Sequence, residues 1–430
     1  MRALFVRVFP LVAFLGTALG LVVGGQQVNV SLLSVPLMFV IALITSQLGA
    51  LPLARFKPLG LFVLATLPGT LLYAAHGAPL GVPLLQYGGI LVCWIVVIRL
   101  FRHAGNDPMR IFDMYLLCAT VSASVGVVQQ IGYLLRITPL YDLHWLFFGA
   151  AKLDYAGPFV RVGSVFTEPS YFAAFLTPAL YLSILRLSGH SRVLGVGRSL
   201  LFILALLCSF STIGYIGLVL CIAVALRLTW RNVALGATLI AALGGIAMTN
   251  PAISSRLLSI PNALQSDLQG DENLSALTNG VNLSIATSML SDRPVAGTGL
   301  GAYRVYSNDY LDDFLAGNEM LIQRINSMLD QLTLADGGSM YLRLPTELGL
   351  GGCLLLAWLV RRHLRPPPTQ LHRDLANAAL MFILVFSIRS GQLVRFEVIF
   401  FCCFYALIRM QLPALIHLCT PQSTPKGVLS

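Results

Sequence analysis

The stretch RSLLFILALLCSFSTIGYIGLVLCIAVALR, Arg198–Arg227, carries an arginine at each end and no charge between them. One continuous helix of that length would put the two cations on opposite faces of a bilayer. Two passes that turn at Ser209–Gly214 keep both on one face, which the preference of Lys and Arg for the cytoplasmic side favours. Each pass is then about 14 residues, short of the ~20 that span a hydrocarbon core. The polar tip SFSTIG should therefore lie at membrane depth, where irregular backbone survives only inside protein or against water.

The rest of the chain agrees with a membrane setting. Of 430 residues 57% are hydrophobic and 11% charged, against about 25% charged in soluble domains. Mean hydropathy is +0.79. The chain reads as an all-α polytopic membrane protein of about twelve transmembrane helices. Candidate spans are 4–23, 31–52, 59–75, 82–100, 111–135, 169–187, 198–211, 213–227, 233–248, 339–360, 374–390 and 395–412. The N-terminal apolar run is longer than a signal-peptide core, and a second span follows at once, so it reads as an uncleaved first helix. Cationic clusters at Arg55/Lys57, Arg99/Arg102/Arg110, Arg186/Arg192/Arg198 and Arg361/Arg362/Arg365/Arg373 alternate with connections that have none. Both termini are then expected in the cytoplasm, and the net charge of +10 reflects topology rather than nucleic-acid binding.

Three parts follow: an N-terminal helix bundle (1–248), a large periplasmic loop (249–338) and C-terminal helices (339–430). Within the loop, NLSIATSML (282–290) has the pattern of an amphipathic turn or two. The eight cysteines sit in or beside apolar runs without zinc or disulfide spacing, and read as small core residues.

The chemistry concentrates at the expected outer side. In RVGSVFTEPSYF, Arg161–Phe172, Thr167 suits an N-cap, Pro169 the first turn, and Glu168 the positive end of the helix dipole. That accounts for Thr, Glu and Pro but not for Arg161 or the small pair Gly163-Ser164. A carboxylate at a helix mouth also suits a general base toward a hydroxyl. Arg304, Arg343, Arg389 and Arg395 are expected on the same side, with Glu347 in the Arg343 segment. Ionisable groups at membrane depth are costly and face a partner or a cavity. Converging arginines suit a phosphorylated head group; the structural alternative pairs them with Glu168, Glu347 or Glu397 to pin helices. GTGLG (297–301) follows no strand and has no P-loop lysine, so it reads as a backbone turn. No HExxH, paired-histidine or DxD pattern points to a metal, and none to a cofactor. Asp113, near the cytoplasmic end of the fifth span, reads as a cap or as a partner of Arg110, with a proton relay as the alternative.

RVGSVFTEPSYFAAFL resembles the Arg–Gly–Phe–x–Glu–Pro–Ser motif of Wzy-type bacterial polysaccharide polymerases, relatives of the O-antigen ligases. LCSFSTIGYIGL, DRPVAGTGLGAYR and GGSMYLRLPTELGLGG resemble the family's helix break, its Pro–x–x–Gly–x–Gly segment and its membrane re-entry segment, in the same order. Where ligases typically carry a histidine, this chain has Gly337-Gly338-Ser339, which favours polymerase over ligase.

The resemblance implies a metal-independent glycosyltransferase in the bacterial inner membrane, with its site facing the periplasm. It would join repeat units borne on undecaprenyl-pyrophosphate-linked oligosaccharide into an exopolysaccharide or O-antigen chain. A chain-length copolymerase and a flippase would be its protein partners, with no role for nucleic acid. Arg161, Arg389 and Arg395 would bind pyrophosphate or donor sugar, and Glu168 would orient or deprotonate the acceptor hydroxyl, with Glu347 as the alternative for that role. Arg304, Arg343, Glu347, Ser170 and Tyr171 would line the substrate site. The alternatives are a ligase moving finished glycan and, in a different class, a polysaccharide or lipid transporter. A transporter should show matching broken helices in two halves, and only SFSTIG supplies a break.

Overall fold

A computed structural model describes residues 20–23, 26–29, 35–36, 39–40, 53–75, 80–143, 155–156, 158–225, 274–315 and 337–410. The expected span 233–248, nearly all of 4–23 and 31–52, and much of the large loop lie outside them. The principal helices are α1 (Lys57–Ala75), α2 (Gly81–His103), α3 (Pro108–Leu134), α4 (Pro169–Leu187), α5 (Val196–Cys208), α6 (Thr212–Ala225), α7 (Leu274–Asp292), α8 (Ala302–Leu315), α9 (Met340–His363), α10 (Gln370–Arg389) and α11 (Phe396–Arg409). Six helical segments among the described residues are long and apolar enough to cross a membrane: Leu53–Ala75, Gly81–His103, Pro108–Leu134, Pro169–Leu187, Met340–His363 and Gln370–Arg389. The protein is thus predominantly helical and built for a bilayer.

Two short hairpins depart from the all-α expectation. β1 (Gly20–Val23) pairs antiparallel with β2 (Gln26–Asn29), and β3 (Tyr155–Ala156) with β4 (Phe159–Val160). The first corrects the expected span end at residue 23. The sequence LVVGGQQV has β-branched residues flanking a Gly-Gly dipeptide, a strong hairpin signal that hydropathy overlooks.

Arg198–Arg227 is two helices over its described residues, not one. Gly214 packs on Ala173, Gly217 on Thr177, and Cys221 Sγ lies 3.6 Å from the Thr177 carbonyl, so α6 runs parallel to α4. α5 runs the other way: the Cys208 carbonyl at its end accepts from the Val162 amide at 3.2 Å, close to where α4 begins. At a rise of about 1.5 Å per residue each arm is only ~20 Å long, short of the ~30 Å hydrocarbon core. The tip is accordingly shielded by protein. Ser209 and Ser211 are buried, Ser209 Oγ donates to the Leu206 carbonyl at 2.6 Å, and Phe210 turns the chain at φ 44°.

α4 contains a second device. Pro178 interrupts it, and the Tyr115 hydroxyl of α3 enters the gap, donating to the Phe175 carbonyl (2.7 Å) and accepting from the Ala179 amide (3.2 Å). Backbone groups freed by a proline are thereby satisfied without water. The Tyr115 ring sits edge-on to Phe175 and Phe401, tying α3, α4 and α11 into one aromatic core.

α9 breaks at Gly349 (φ 67°, ψ 171°), and the 293–299 loop fills the break. The Leu350 and Gly351 amides donate to the Pro294 and Val295 carbonyls (2.7 and 2.9 Å). The Thr346 and Glu347 carbonyls accept from the Thr298 and Gly299 amides, both at 2.9 Å. GTGLG is therefore a buried backbone turn, with positive φ at Gly297, Gly299 and Gly301. The amphipathic stretch expected at 282–290 belongs to a longer helix, α7, whose buried residues Thr278, Val281, Asn282, Ile285, Ala286 and Met289 form one stripe.

The described basic connections gather at one end of the bundle. Trp94 Nε1 donates to the Arg55 carbonyl (3.1 Å), Arg55 Nη2 to Asn106 Oδ1 (3.0 Å), and the Arg365 amide to the Arg409 carbonyl (2.7 Å). Asp107, not Asp113, caps α3 and pairs with Arg110. Residues 158–168, the 209–211 tip, the 293–301 loop and the turn at 390–395 belong to the opposite end.

A Cβ at Gly349 would stand 2.4 Å from the Gly297 nitrogen, whereas one at Gly60 meets nothing within 4 Å. Gly349→Ala should cost at least the ~1–3 kcal/mol of a strained backbone, and Gly60→Ala should be neutral or gain ~0.5–1 kcal/mol. Thermal unfolding in lipid nanodiscs checks this; equal melting points would refute the tight threading of α9.

Candidate active site

The segment leading to Glu168 is fixed from two sides. Ser164, at φ 55°, donates its amide to the Gln129 side-chain oxygen (2.7 Å) and its hydroxyl to the Ser122 carbonyl (2.6 Å). A Cβ on Gly163 would meet the Phe166 carbonyl at 3.0 Å. The small pair that the helix-start reading left unexplained is what folds this turn onto α3.

Glu168 itself corrects that reading. It occupies the N-cap position of α4 in place of Thr167, with extended backbone (φ −140°, ψ 146°), yet its side chain caps nothing. The carboxylate Oε2 accepts instead from Arg389 Nη2, and from Ser170 Oγ at 3.1 Å. Ser170 Oγ also accepts from Arg389 Nε at 2.6 Å. Glu168, Ser170 and Arg389 thus form a closed triangle across α4 and α10. Arg389 Cζ lies 4.3 Å from the Tyr171 ring centroid, and Arg395 Cζ lies 4.7 Å from the same ring and 5.2 Å from that of Phe386.

Three carboxylates each take one arginine, as the helix-pinning alternative anticipated: Arg389–Glu168, Arg343–Glu347 and Arg395–Glu397. Their exposure separates them. The Arg343 and Glu347 side chains are 6% and 0% exposed, and Arg395 and Glu397 are 8% and 4%. Arg389 and Glu168 are 23% and 53%. Two pairs are therefore internal struts and one faces outward.

The Arg343–Glu347 strut is the better bonded. Arg343 Nε donates to Glu347 Oε1 at 2.8 Å, and Nη1 to the Gly391 carbonyl at 2.9 Å. Glu347 Oε1 also faces the Tyr303 amide at 3.4 Å, while Oε2 is buried without a hydrogen bond. The Arg395–Glu397 contact is short, 2.7 Å, but poorly aligned for a hydrogen bond, so its attraction is mainly that of the charges.

Of the residues expected at the site, the structure brings together Glu168, Ser170, Tyr171, Arg389 and Arg395. Arg343 and Glu347 lie behind them, joined through Gly391. Arg161 is half-buried beside the 209–211 tip, within electrostatic reach of Tyr215. Arg304 is exposed on α8 and makes no hydrogen bond or ion pair among the described residues. Glu397 and Phe386, omitted from the expected site, prove to be the second pair's anion and a wall against Arg395. An acid two residues after Arg395 at a helix start was the available signal. Among the described residues no three His, Cys, Asp or Glu side chains gather as metal ligands.

Comparisons with protein-family models, curated proteins and solved structures return no match. The functional reading rests on the chain itself.

Breaking the buried strut strands an uncompensated charge. Glu347→Gln should cost about 3–5 kcal/mol of stability, and Glu168→Gln less than about 1 kcal/mol. Paired melting curves decide it; a Glu168→Gln loss as large as that of Glu347→Gln would make the outer pair a structural strut too.

Proposed function

We propose that this chain is a Wzy-like glycosyltransferase that polymerises lipid-pyrophosphate-linked oligosaccharide repeats at the periplasmic face of a bacterial inner membrane. The observation that carries the reading is the Glu168–Ser170–Arg389 triangle, open to the outside at Glu168, with Arg395 one ring away. It lies at the end of the bundle opposite the basic connections. The positive-inside preference makes the basic end cytoplasmic, so the triangle faces out.

The chemistry follows from charge. An acceptor hydroxyl oxygen attacks the anomeric carbon of the donor sugar, the C1–oxygen bond to pyrophosphate breaks, and the hydroxyl proton passes to Glu168. Negative charge develops on the leaving lipid pyrophosphate, where Arg389 and Arg395 neutralise it; Arg161 serves the donor from the side of the tip. Pyrophosphate is already a good leaving group, so positioning and charge stabilisation carry most of the rate. Before substrate arrives, Glu168 holds Arg389. Phosphate oxygens compete for the same guanidinium fork, and their arrival frees the carboxylate to face the acceptor. This gives one residue both roles, counter-ion at rest and base in the reaction.

Reconstitution with a purified lipid-linked repeat tests it. The wild type should give a ladder of products. Glu168→Gln should slow the ladder by about 10²–10⁴, and Arg389→Ala or Arg161→Ala by about 10²–10³. Full-length polymer at wild-type rate from Glu168→Gln and Arg161→Ala, at equal protein levels, would sink the assignment.

A further inference from the structure

Tyr171 stands between two cations that come from different elements. Arg389 is the last residue of α10 and Arg395 the residue before α11, and both guanidinium carbons lie within 5 Å of the one ring centroid. Like charges repel, so something must hold them together. Each has a carboxylate, but Glu397 is buried whereas Glu168 is open to exchange. The π-face of the ring attracts cations whether or not a carboxylate is in place. The Phe386 ring, centred 6.1 Å from that of Tyr171, keeps Arg395 from swinging away. The Tyr171 hydroxyl makes no hydrogen bond among the described residues, so the ring is the part of this side chain the cluster uses.

We infer that Tyr171 is a positioning residue that holds Arg389 and Arg395 as a two-cation clamp, and that the clamp selects a diphosphate over a single phosphate. The inference rests on the donor reading above and changes the role expected for Tyr171 from substrate contact to cation support. When a phosphorylated head group displaces Glu168 from Arg389, the ring remains and keeps the two guanidinium groups gathered. Two joined phosphates can then engage both cations at once, whereas one phosphate engages one.

The test uses the full chain in lipid nanodiscs, titrated calorimetrically with inorganic pyrophosphate and with inorganic phosphate at fixed ionic strength. The wild type should prefer pyrophosphate. Tyr171→Leu and Tyr171→Met should weaken pyrophosphate binding about tenfold, the scale of a desolvated cation–π contact, and phosphate binding about threefold or less. Tyr171→Phe should restore the preference to within about threefold, because only the ring is needed. The inference is overturned if both aliphatic variants bind pyrophosphate like the wild type, if Tyr171→Phe is as weak as Tyr171→Leu, or if both aliphatic variants lose the wild-type melting point, which would make the ring a packing residue. Wild-type protein that binds no pyrophosphate and makes no ladder would instead sink the donor reading. Pyrophosphate binding that ignores the ring sinks only the clamp.

Discussion

The broken helix α9 is the constraint on which the rest of the outer end depends. A helix interrupted in an apolar environment leaves amides and carbonyls that nothing else nearby can satisfy. Here the 293–299 loop supplies both kinds of partner, and only a glycine-rich backbone fits: a Cβ on Gly297 would lie 2.3 Å from the Gly349 nitrogen. The same threading fixes Glu347, whose carbonyl holds Gly299 and whose carboxylate holds Arg343. Arg343 reaches the Gly391 carbonyl, and Met340 N bonds to the Ser390 carbonyl (3.1 Å). The turn between Arg389 and Arg395 is thereby anchored to the break. A glycine loop distant in sequence sets the position of two arginines it does not touch.

Burial then divides the labour among the charges. A pair buried as deeply as Arg343–Glu347 is poor value as pure stabilisation, since desolvating two ions offsets most of their attraction. Breaking it is costly all the same, so it holds geometry firmly. Arg395–Glu397 does the same for the second arginine. The outer pair is held by a net interaction of under about 1 kcal/mol, weak enough for a charged ligand to displace. Rigid cations behind and one exchangeable carboxylate in front are what a transient polyanion site requires.

Much of this was legible in the sequence, for identifiable reasons. Two arginines bracketing an uncharged run exposed the α5–α6 hairpin, because charge placement is read at membrane scale. The turn at GTGLG followed from glycine chemistry, and the cost of lone charges named Glu168, Glu347 and Glu397 as arginine partners without saying which arginine each would take. What stayed hidden was short-range. LVVGGQQV reads as apolar before it reads as strand. Ser164 holds a left-handed conformation only because Gln129 and Ser122 of α3 receive it. Tyr115 enters the Pro178 gap from another helix. The last two depend on a partner remote in sequence, which local pattern does not encode.

The start of α4 shows how a local rule yields to such a partner. An N-cap side chain is worth about 1 kcal/mol, no less than an exposed ion pair, so pair energy alone does not explain why Glu168 leaves the helix end uncapped. Pro169 lowers the stake: it has no amide hydrogen, so one of the orphan donors is already removed. The Gly163–Phe166 turn lowers it again by fixing the approach of the chain, with the Phe166 amide on the Gly163 carbonyl at 3.0 Å. With the helix start secured by backbone, the carboxylate is free to turn outward. Arg389 and Ser170 then decide its direction, and the residue at the N-cap position becomes the accessible anion of the site.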